Sequence, residues 1–455
     1  MKEQNQLVRG LTPIHAGALV VGTVIGTGIF LKAGIMSQVT GSPQWMLLAW
    51  VVAGLLSFAG ALVYSEIGSM FPRAGGEYVY IREAYGDLPG FLYGWMRFWV
   101  ASPGSIAAYA VGGATFLEGA NILFLKGMRT PLAVAFIIFF AGLNCLSVRF
   151  GGRVQTFVTA LKIAIILALT VGIFILAPGG SFGHITAEPP GGGWPGFGAF
   201  GMALLAALWA YDGWNNMPMV AGEVRDPQKS IPLALIVGVG GVMLIYTLIN
   251  MAYVYAVPFG ELLSANSKLH PDALPVATKA AAGFLGPAGT VLLSGAFFIS
   301  AIGGLNGSIL TSSRIPYAMA RERMMPSFMA TVSPRTHVPV LSVLIQGGWA
   351  ALLAASGTFD QLTDYVVFAG WVFYALAAIS LIVFRRTHPD LPRGYRVPLY
   401  PLLPLLFALT AAGLLVNTLF TAPRESLAGL VIITSGVPVF LWMRRRERLA
   451  AADTA

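Results

Sequence analysis

Charge is scarce in this 455-residue chain: Asp, Glu, Lys and Arg together make up 10% of it. A soluble domain carries about a quarter, so there is very little room for one. Cysteine is scarcer still. Cys145 stands alone inside an apolar run, which excludes a disulfide within the chain and a cysteine-rich metal centre. Of the five histidines, His15 lies near the start of an apolar run, His184, His270 and His337 in connections, and His388 in a basic stretch. No two have metal-ligand spacing. A phosphate-binding Gly-Lys-Ser/Thr loop is missing, which argues against ATP hydrolysis, and no stretch resembles a repeated pore filter. The chain therefore reads as a non-enzyme with no cofactor and no metal. No cleavable signal peptide is visible: Lys2 and Arg9 precede an apolar segment too long and too Gly-rich for one, with no small-residue cleavage pattern.

Apolar residues fill the space that charge leaves. They make up 56% of the chain, with a mean hydropathy of +0.74, and runs such as Trp45–Tyr64 have about the length that crosses a bilayer. The expected fold class is an all-α membrane protein embedded in lipid. Twelve spans are read, over 13–35, 44–69, 88–118, 131–148, 154–177, 197–221, 232–256, 287–316, 338–356, 362–384, 400–420 and 427–443. Residues 275–284 are a candidate short outer helix. Thr12-Pro13 provides an N-cap and a first helical residue for the first span. The net charge of +9 raises nucleic acid as a partner, but the basic residues are scattered through short loops, where orientation in a membrane explains them better. The even number of spans puts both termini on one side. The tails and the loops near 71–87, 149–153, 222–230, 314–337 and 385–398 hold twenty of the 28 Lys and Arg, and this side is the cytoplasmic one.

Two spans contain something a lipid-embedded helix normally avoids. In Val20–Phe30, VVGTVIGTGIF, residues Gly22, Gly26 and Gly28 loosen the backbone. Lipid does not tolerate unpaired backbone groups unless they line a cavity or meet a ligand. A break over Ile25–Gly28 would aim N–H groups, with the Thr27 hydroxyl, at a carboxylate, and carbonyls near Val24 at an ammonium. Small residues that let two helices pack closely give the same pattern, and the first span alone does not separate the two readings. The second break falls at Trp209–Asn216, WAYDGWNN, halfway along its span. A charge there, Asp212, costs at least ~2.5 kcal/mol on insertion scales, so it faces water, a ligand or an internal partner that holds the bend. Pro218 loosens the same helix. Trp209 and Trp214 either pack or line the cavity.

The two breaks open the first span of two successive sets of five, separated by the Gly/Pro-rich external connection Pro178–Pro195. Breaks at corresponding positions of two halves point to a transporter built from inverted repeats. The expected division is a tail over 1–12, a first repeat over 13–177, a second over 197–384, an accessory pair over 400–443 and a tail over 444–455. Lys162 lies about 12 Å inside the fifth span by helix rise. It either snorkels to the interface or stands as an ammonium beside the first break. Arg97, at similar depth in the third span, is expected to snorkel. The short connections carrying Glu66, Arg73, Glu223, Arg314 and Glu322 are solvated turns or an inner gate, in which Glu66, Glu223 or Glu322 pairs with Arg73 or Arg314.

Taken in order, IGTGIF at 25–30, YSEIGSMFPRAGGEYVYIREAYG at 64–86, Lys162 in VQTFVTALK, ALWAYDGWNNMPMVAGEVRDPQKSIP at 207–232 and SSRIPYAMARERMMP at 312–326 resemble the amino acid–polyamine–organocation superfamily of transporters. AYDGWNN followed by EVRDPQKSIP is similar to its L-type amino acid branch. The resemblance implies a LeuT-type 5+5 inverted repeat and alternating access. It also implies that the carboxylate of an amino acid meets Gly26, Thr27 and Gly28, that its ammonium meets carbonyls of Val24, Trp209 and Asp212, and that Trp209 gates the substrate. Asn215 would bridge the broken helices, and Lys162 would stand in for a sodium ion, so that transport is sodium-independent, by exchange or proton coupling. Two departures matter. The animal carriers' cysteine link to an ancillary subunit has no counterpart in Leu117–Thr130, which implies a stand-alone, prokaryotic plasma-membrane carrier. Asp212, a Gly in some relatives, is similar to members that take cationic as well as neutral amino acids. A polyamine carrier of the same fold is the alternative; a non-transporting sensor and a channel are the remaining ones.

Overall fold

The computed structural model describes residues 7–119, 127–187, 193–267, 269–270, 273–356, 359–421 and 423–452. Lys2, Lys126 and Lys268 of the charge count, and part of the 178–195 connection, lie outside the described residues. Among the described residues ten helices are long and apolar enough to cross a membrane, and there is no β-strand. The difference from twelve has two sources. The sixth span is cut into a 15-residue helix and a 3₁₀ segment, and Val340–Ser356 is short of the length of the others.

The first half of the chain runs through α1 (Pro13–Val24), α2 (Gly28–Thr40), α3 (Pro43–Met70), α4 (Glu77–Tyr85), α5 (Asp87–Met96), α6 (Ser102–Gly119), α7 (Arg129–Leu146) and α8 (Val148–Leu176). The start of α1 follows the local chemistry: Thr12 caps the helix and accepts from the His15 amide, while His15 bonds back to the Thr12 amide. The far end of α2 runs past residue 35 to Gly41, whose φ of 61° closes the helix. No loop separates α7 from α8. Ser147 alone turns the chain and caps α8 through Phe150 N, so Arg149 and Arg153 sit on the first turns of a helix and not in a connection.

The third span contains a π-helical turn, Arg97–Ala101, between α5 and α6. Pro103 just beyond it has no amide hydrogen to give the preceding turn. Two side chains of Val340–Ser356 take the carbonyls left over: Gln346 donates to Phe98 O at 3.0 Å and Trp349 to Trp99 O at 2.8 Å. The bulge rotates Arg97 relative to a regular helix.

The second half contains α9 (Phe197–Tyr211), α10 (Pro227–Ala256), α11 (Val276–Ser312), α12 (Arg314–Arg321), α13 (Val340–Ser356), α14 (Phe359–Thr387), α15 (Leu402–Thr421), α16 (Pro423–Thr434) and α17 (Gly436–Ala452). After α9 the chain does not resume an α-helix. Trp214–Glu223 is 3₁₀, because Gly213 has already left helical geometry and Pro218 cannot donate. The short helix expected over 275–284 is present as the opening of α11, which turns at Gly286 with φ 56°. Around α1 pack α8, α10, α11 and the 3₁₀ segment, so the first break lies at the centre of the bundle. Leu11, fully buried, pairs with Val224 in an isolated parallel bridge and ties the N-terminal approach to the end of the 3₁₀ segment.

Candidate functional site

The first span stops being helical at Ile25–Thr27 and the sixth at Asp212–Gly213. The two interruptions touch. The Thr23 hydroxyl lies 2.9 Å from Gly213 O, and the Tyr246 hydroxyl lies 3.0 Å from Val24 O and 3.2 Å from Ala210 O. Tyr109 donates to Thr23 O at 2.9 Å. Buried backbone carbonyls are costly when unpaired, and at this junction hydroxyls from α6 and α10 supply the partners that the helix no longer does.

Lys162 completes the junction. It is 1% exposed, and its three ammonium protons meet three carbonyls: Gly22 O at 2.9 Å, Ile25 O at 2.6 Å and Ser300 O at 3.1 Å. A fully satisfied ammonium does not snorkel. The Ser300 hydroxyl reinforces the same turn from α11, at 3.1 Å from Ile25 O and 3.0 Å from Gly26 O.

A cavity of about 670 Å³ lies against both breaks, lined by Gly26, Thr27, Gly28, Tyr109, Trp209 and Asp212 among others. A smaller pocket of about 60 Å³ shares Trp209 and Asp212 with it and adds Glu77, Arg97 and Tyr374. Trp209 therefore stands between the two spaces. The Lys32 ammonium lies 4.2 Å from its ring centroid, a cation–π contact. Trp214 packs in the core against Tyr64 instead. Asp212 is open to the cavity, and its Oδ1 accepts from the Tyr374 hydroxyl at 2.6 Å.

The glycines serve packing as well as access. A Cβ on Gly28 would lie 2.8 Å from that of Ala210, and one on Gly26 2.9 Å from the Tyr109 ring. Gly213 is the most constrained: its φ is 119°, and a Cβ there would lie 2.7 Å from Thr23 O. Gly213→Ala is expected to cost about 1–3 kcal/mol, read as earlier thermal unfolding of the detergent-purified protein. Unfolding unchanged from the parent would show that this contact does not hold the two breaks together.

Asn215 does not bridge the broken helices. Its amide nitrogen lies 3.3 and 3.4 Å from the Glu77 carboxylate oxygens, and Thr23 and Tyr246 make the bridge. Glu77 is the residue that sequence reasoning passed over. It is fully buried and accepts from Tyr64 at 2.5 Å, from Tyr93, and from Asn215. Burial pushes its carboxyl up from the usual carboxylate range, while nearby Arg97 and the three donors pull it down. The signal was the Gly75-Gly76 pair before it. Both take positive φ, and Gly75 N donates to Met219 O at 2.9 Å, which turns Glu77 inward at the start of α4. Arg97 does not snorkel either. Its Nη2 donates to Asn216 Oδ1 at 2.9 Å.

Of the gate candidates, Glu223 and Arg314 meet. Both are wholly buried, in a two-pronged pair at 2.7 and 2.9 Å. Arg314 also donates to Leu310 O and Ser313 Oγ. The other acids and arginines find different partners. Glu66 is held by Arg385, Arg393 and the Val397 amide, Arg73 pairs with Glu83, and Glu322 with Arg82.

Residues 11–443 match the family described as amino acid permease. The chain belongs to this family, part of the amino acid–polyamine–organocation superfamily, whose members are transporters and not enzymes. It is 31% identical over 450 residues to the serine/threonine exchanger SteT of Bacillus subtilis, covering 98% of this chain and 99% of that one. Over 439 residues it is 32% identical to the human b(0,+)-type amino acid transporter 1, covering 95% and 87%. Over 458 residues it is 31% identical to the human cystine/glutamate transporter, covering 96% and 86%.

Proposed function

We propose that this permease exchanges α-amino acids across the plasma membrane by alternating access, without sodium. The observation that carries this reading is the pair of interrupted helices joined at Thr23–Gly213 and Tyr246, with a cavity against both and Lys162 closing the first break. The substrate's carboxylate is assigned to Gly26, Thr27 and Gly28 at the start of α2, where helix geometry favours an anion. Its ammonium is assigned to the carbonyls of Val24, Trp209 and Asp212, three residues that line the same cavity. Trp209 is the gate over the substrate. Lys162 provides the fixed charge in place of a metal ion, which is the basis for sodium independence.

The same reading assigns a LeuT-type arrangement of twelve spans, with repeats over 13–177 and 197–384 and an accessory pair over 400–443. Both tails are placed in the cytoplasm, where the basic loops lie. The lack of cysteine in Leu117–Thr130 supports a carrier with no disulfide-linked subunit. The name of one similar protein, the serine/threonine exchanger SteT, favours exchange over proton symport.

Proteoliposomes test this directly. Uptake of a labelled neutral amino acid is expected to be faster with unlabelled amino acid trapped inside than with empty vesicles, and equal in sodium and potassium media. Uptake that needs a sodium gradient, or that ignores the internal amino acid, would overturn the exchange mechanism.

A further inference from the structure

Asp212 leaves a chemical question open. A carboxylate open to the substrate cavity attracts cationic side chains, and this one has a neutral phenol, Tyr374, as its hydrogen-bonding partner. Among the described residues no Lys or Arg lies within ion-pair distance of it. The third span provides a counter-charge one step further away. Arg97, at the head of the π-helical turn, lines the small pocket behind Trp209 together with Asp212. The two meet again in a third space of about 30 Å³, with Ser102, Gly213 and Asn216. Arg97 spends one donor on Asn216, and its Nε is buried without a hydrogen-bond partner. Its positive charge acts on Asp212 across these shared spaces.

The remaining charges nearby have the same sign as Arg97 or are already engaged. Glu77 lines the same small pocket, where two phenols and an amide donate to it and it shares the Arg97 charge with Asp212. The Lys32 ammonium lies over the Trp209 ring, and Arg129 lines the main cavity. A cationic side chain entering beside Trp209 thus meets Arg97 and Arg129 as like charges, against two carboxylates, Asp212 and Glu77, that share Arg97 between them. Like charges at close quarters are a repulsive element against a cationic ligand.

We infer that Arg97 is a specificity-determining residue: it offsets Asp212 across the pocket behind Trp209 and so restricts the carrier to neutral amino acids. This rests on the amino-acid exchange reading. It sets aside the expectation, drawn from Asp212 alone, that cationic substrates are accepted as well. The serine-lined wall at Ser102 and Ser105 fits short polar or small apolar side chains.

The test is competition against one labelled neutral amino acid in exchange-loaded proteoliposomes, using serine, alanine and leucine beside lysine and arginine. The wild-type protein is expected to be inhibited by neutral members and not by lysine or arginine. In Arg97→Gln the ratio of lysine to neutral inhibition is expected to rise about tenfold or more. Asp212→Asn, which removes one of the two carboxylates beside Arg97, is expected to add inhibition by aspartate and glutamate, run in the same panel. Wild-type protein inhibited equally by lysine and by neutral amino acids would overturn the proposal, even where neither variant folds. So would an Arg97→Gln protein that excludes lysine as strongly as its parent. Inhibition by no amino acid at all would instead overturn the exchange reading on which this rests.

Discussion

Lys162→Ala is expected to abolish exchange and to lower stability by about 3–5 kcal/mol, among the largest effects of any single substitution in the bundle. The alanine removes the ammonium that now holds Gly22 O, Ile25 O and Ser300 O at 2.6–3.1 Å, and leaves Ile25 O with the Ser300 hydroxyl alone. Hydrogen bonds to a charged group contribute about 1.5–3 kcal/mol each, and unpaired carbonyls in a buried site add a penalty of their own. The loss would not be confined to stability. Ile25 is the hinge between α1 and α2, and its carbonyl is shared by Lys162 and Ser300. Without the ammonium the turn over Ile25–Thr27 has fewer constraints, and the amides proposed for the substrate carboxylate lose their orientation. Lys162→Met separates charge from volume: it refills the space but cannot donate. Exchange is expected to stay absent in both variants, with methionine recovering part of the unfolding temperature. Recovery of exchange in Lys162→Met would show that the side chain only packs.

How this site relates to the sequence depends on the range of each contact. The two breaks were legible because their cause is local. Glycines loosen Ile25–Gly28, and Asp212, Gly213 and Pro218 in one span forbid a continuous helix. Lys162 was legible as an anomaly, a charge too deep for its surroundings. Its three partners were not, since Ser300 is 138 residues away. Tyr246 and Tyr109, which hold the breaks together, stand in apolar helices with no local feature to set them apart. Nothing in spacing marks which phenol meets a freed carbonyl. Arg97 was misread because snorkelling assumes a regular helix, whereas the π turn and Pro103 redirect it. Asn215 was assigned from resemblance to a bridge that Thr23 makes, because Glu77, carried in on a glycine turn, captures its amide first. The gate shows the same limit. Charge content marked the acids and arginines, but their pairing is set by tertiary contacts such as Glu66 with Arg385, 319 residues apart.

Arg314→Ala is expected to cost about 3–5 kcal/mol, since it leaves the Glu223 carboxylate charged, buried and without its partner. The pair joins the last residue of the 3₁₀ segment to the first of α12, and the Arg314 side chain also closes the end of α11 through Leu310 O and Ser313 Oγ. The neighbouring backbone is tied in as well, because Glu223 O accepts from Leu11 N at 2.9 Å. One ion pair therefore fastens the broken sixth span, the eighth span and the N-terminal approach at the same end of the bundle. The pair is expected to break when that end opens, so its removal is expected to bias the carrier toward the open form as well as destabilise it. A double-mutant cycle separates the two effects. Glu223→Gln with Arg314→Met removes both charges together and is expected to unfold later than either single variant, because no lone ion is left buried. Labelling of a cysteine introduced at Asn216, in a background with Cys145 replaced, reports access to the cavity from that end. Faster labelling in the double variant, at a stability near the parent's, identifies the pair as a gate. Labelling unchanged from the parent, with additive losses in the two single variants, would reduce it to a structural contact.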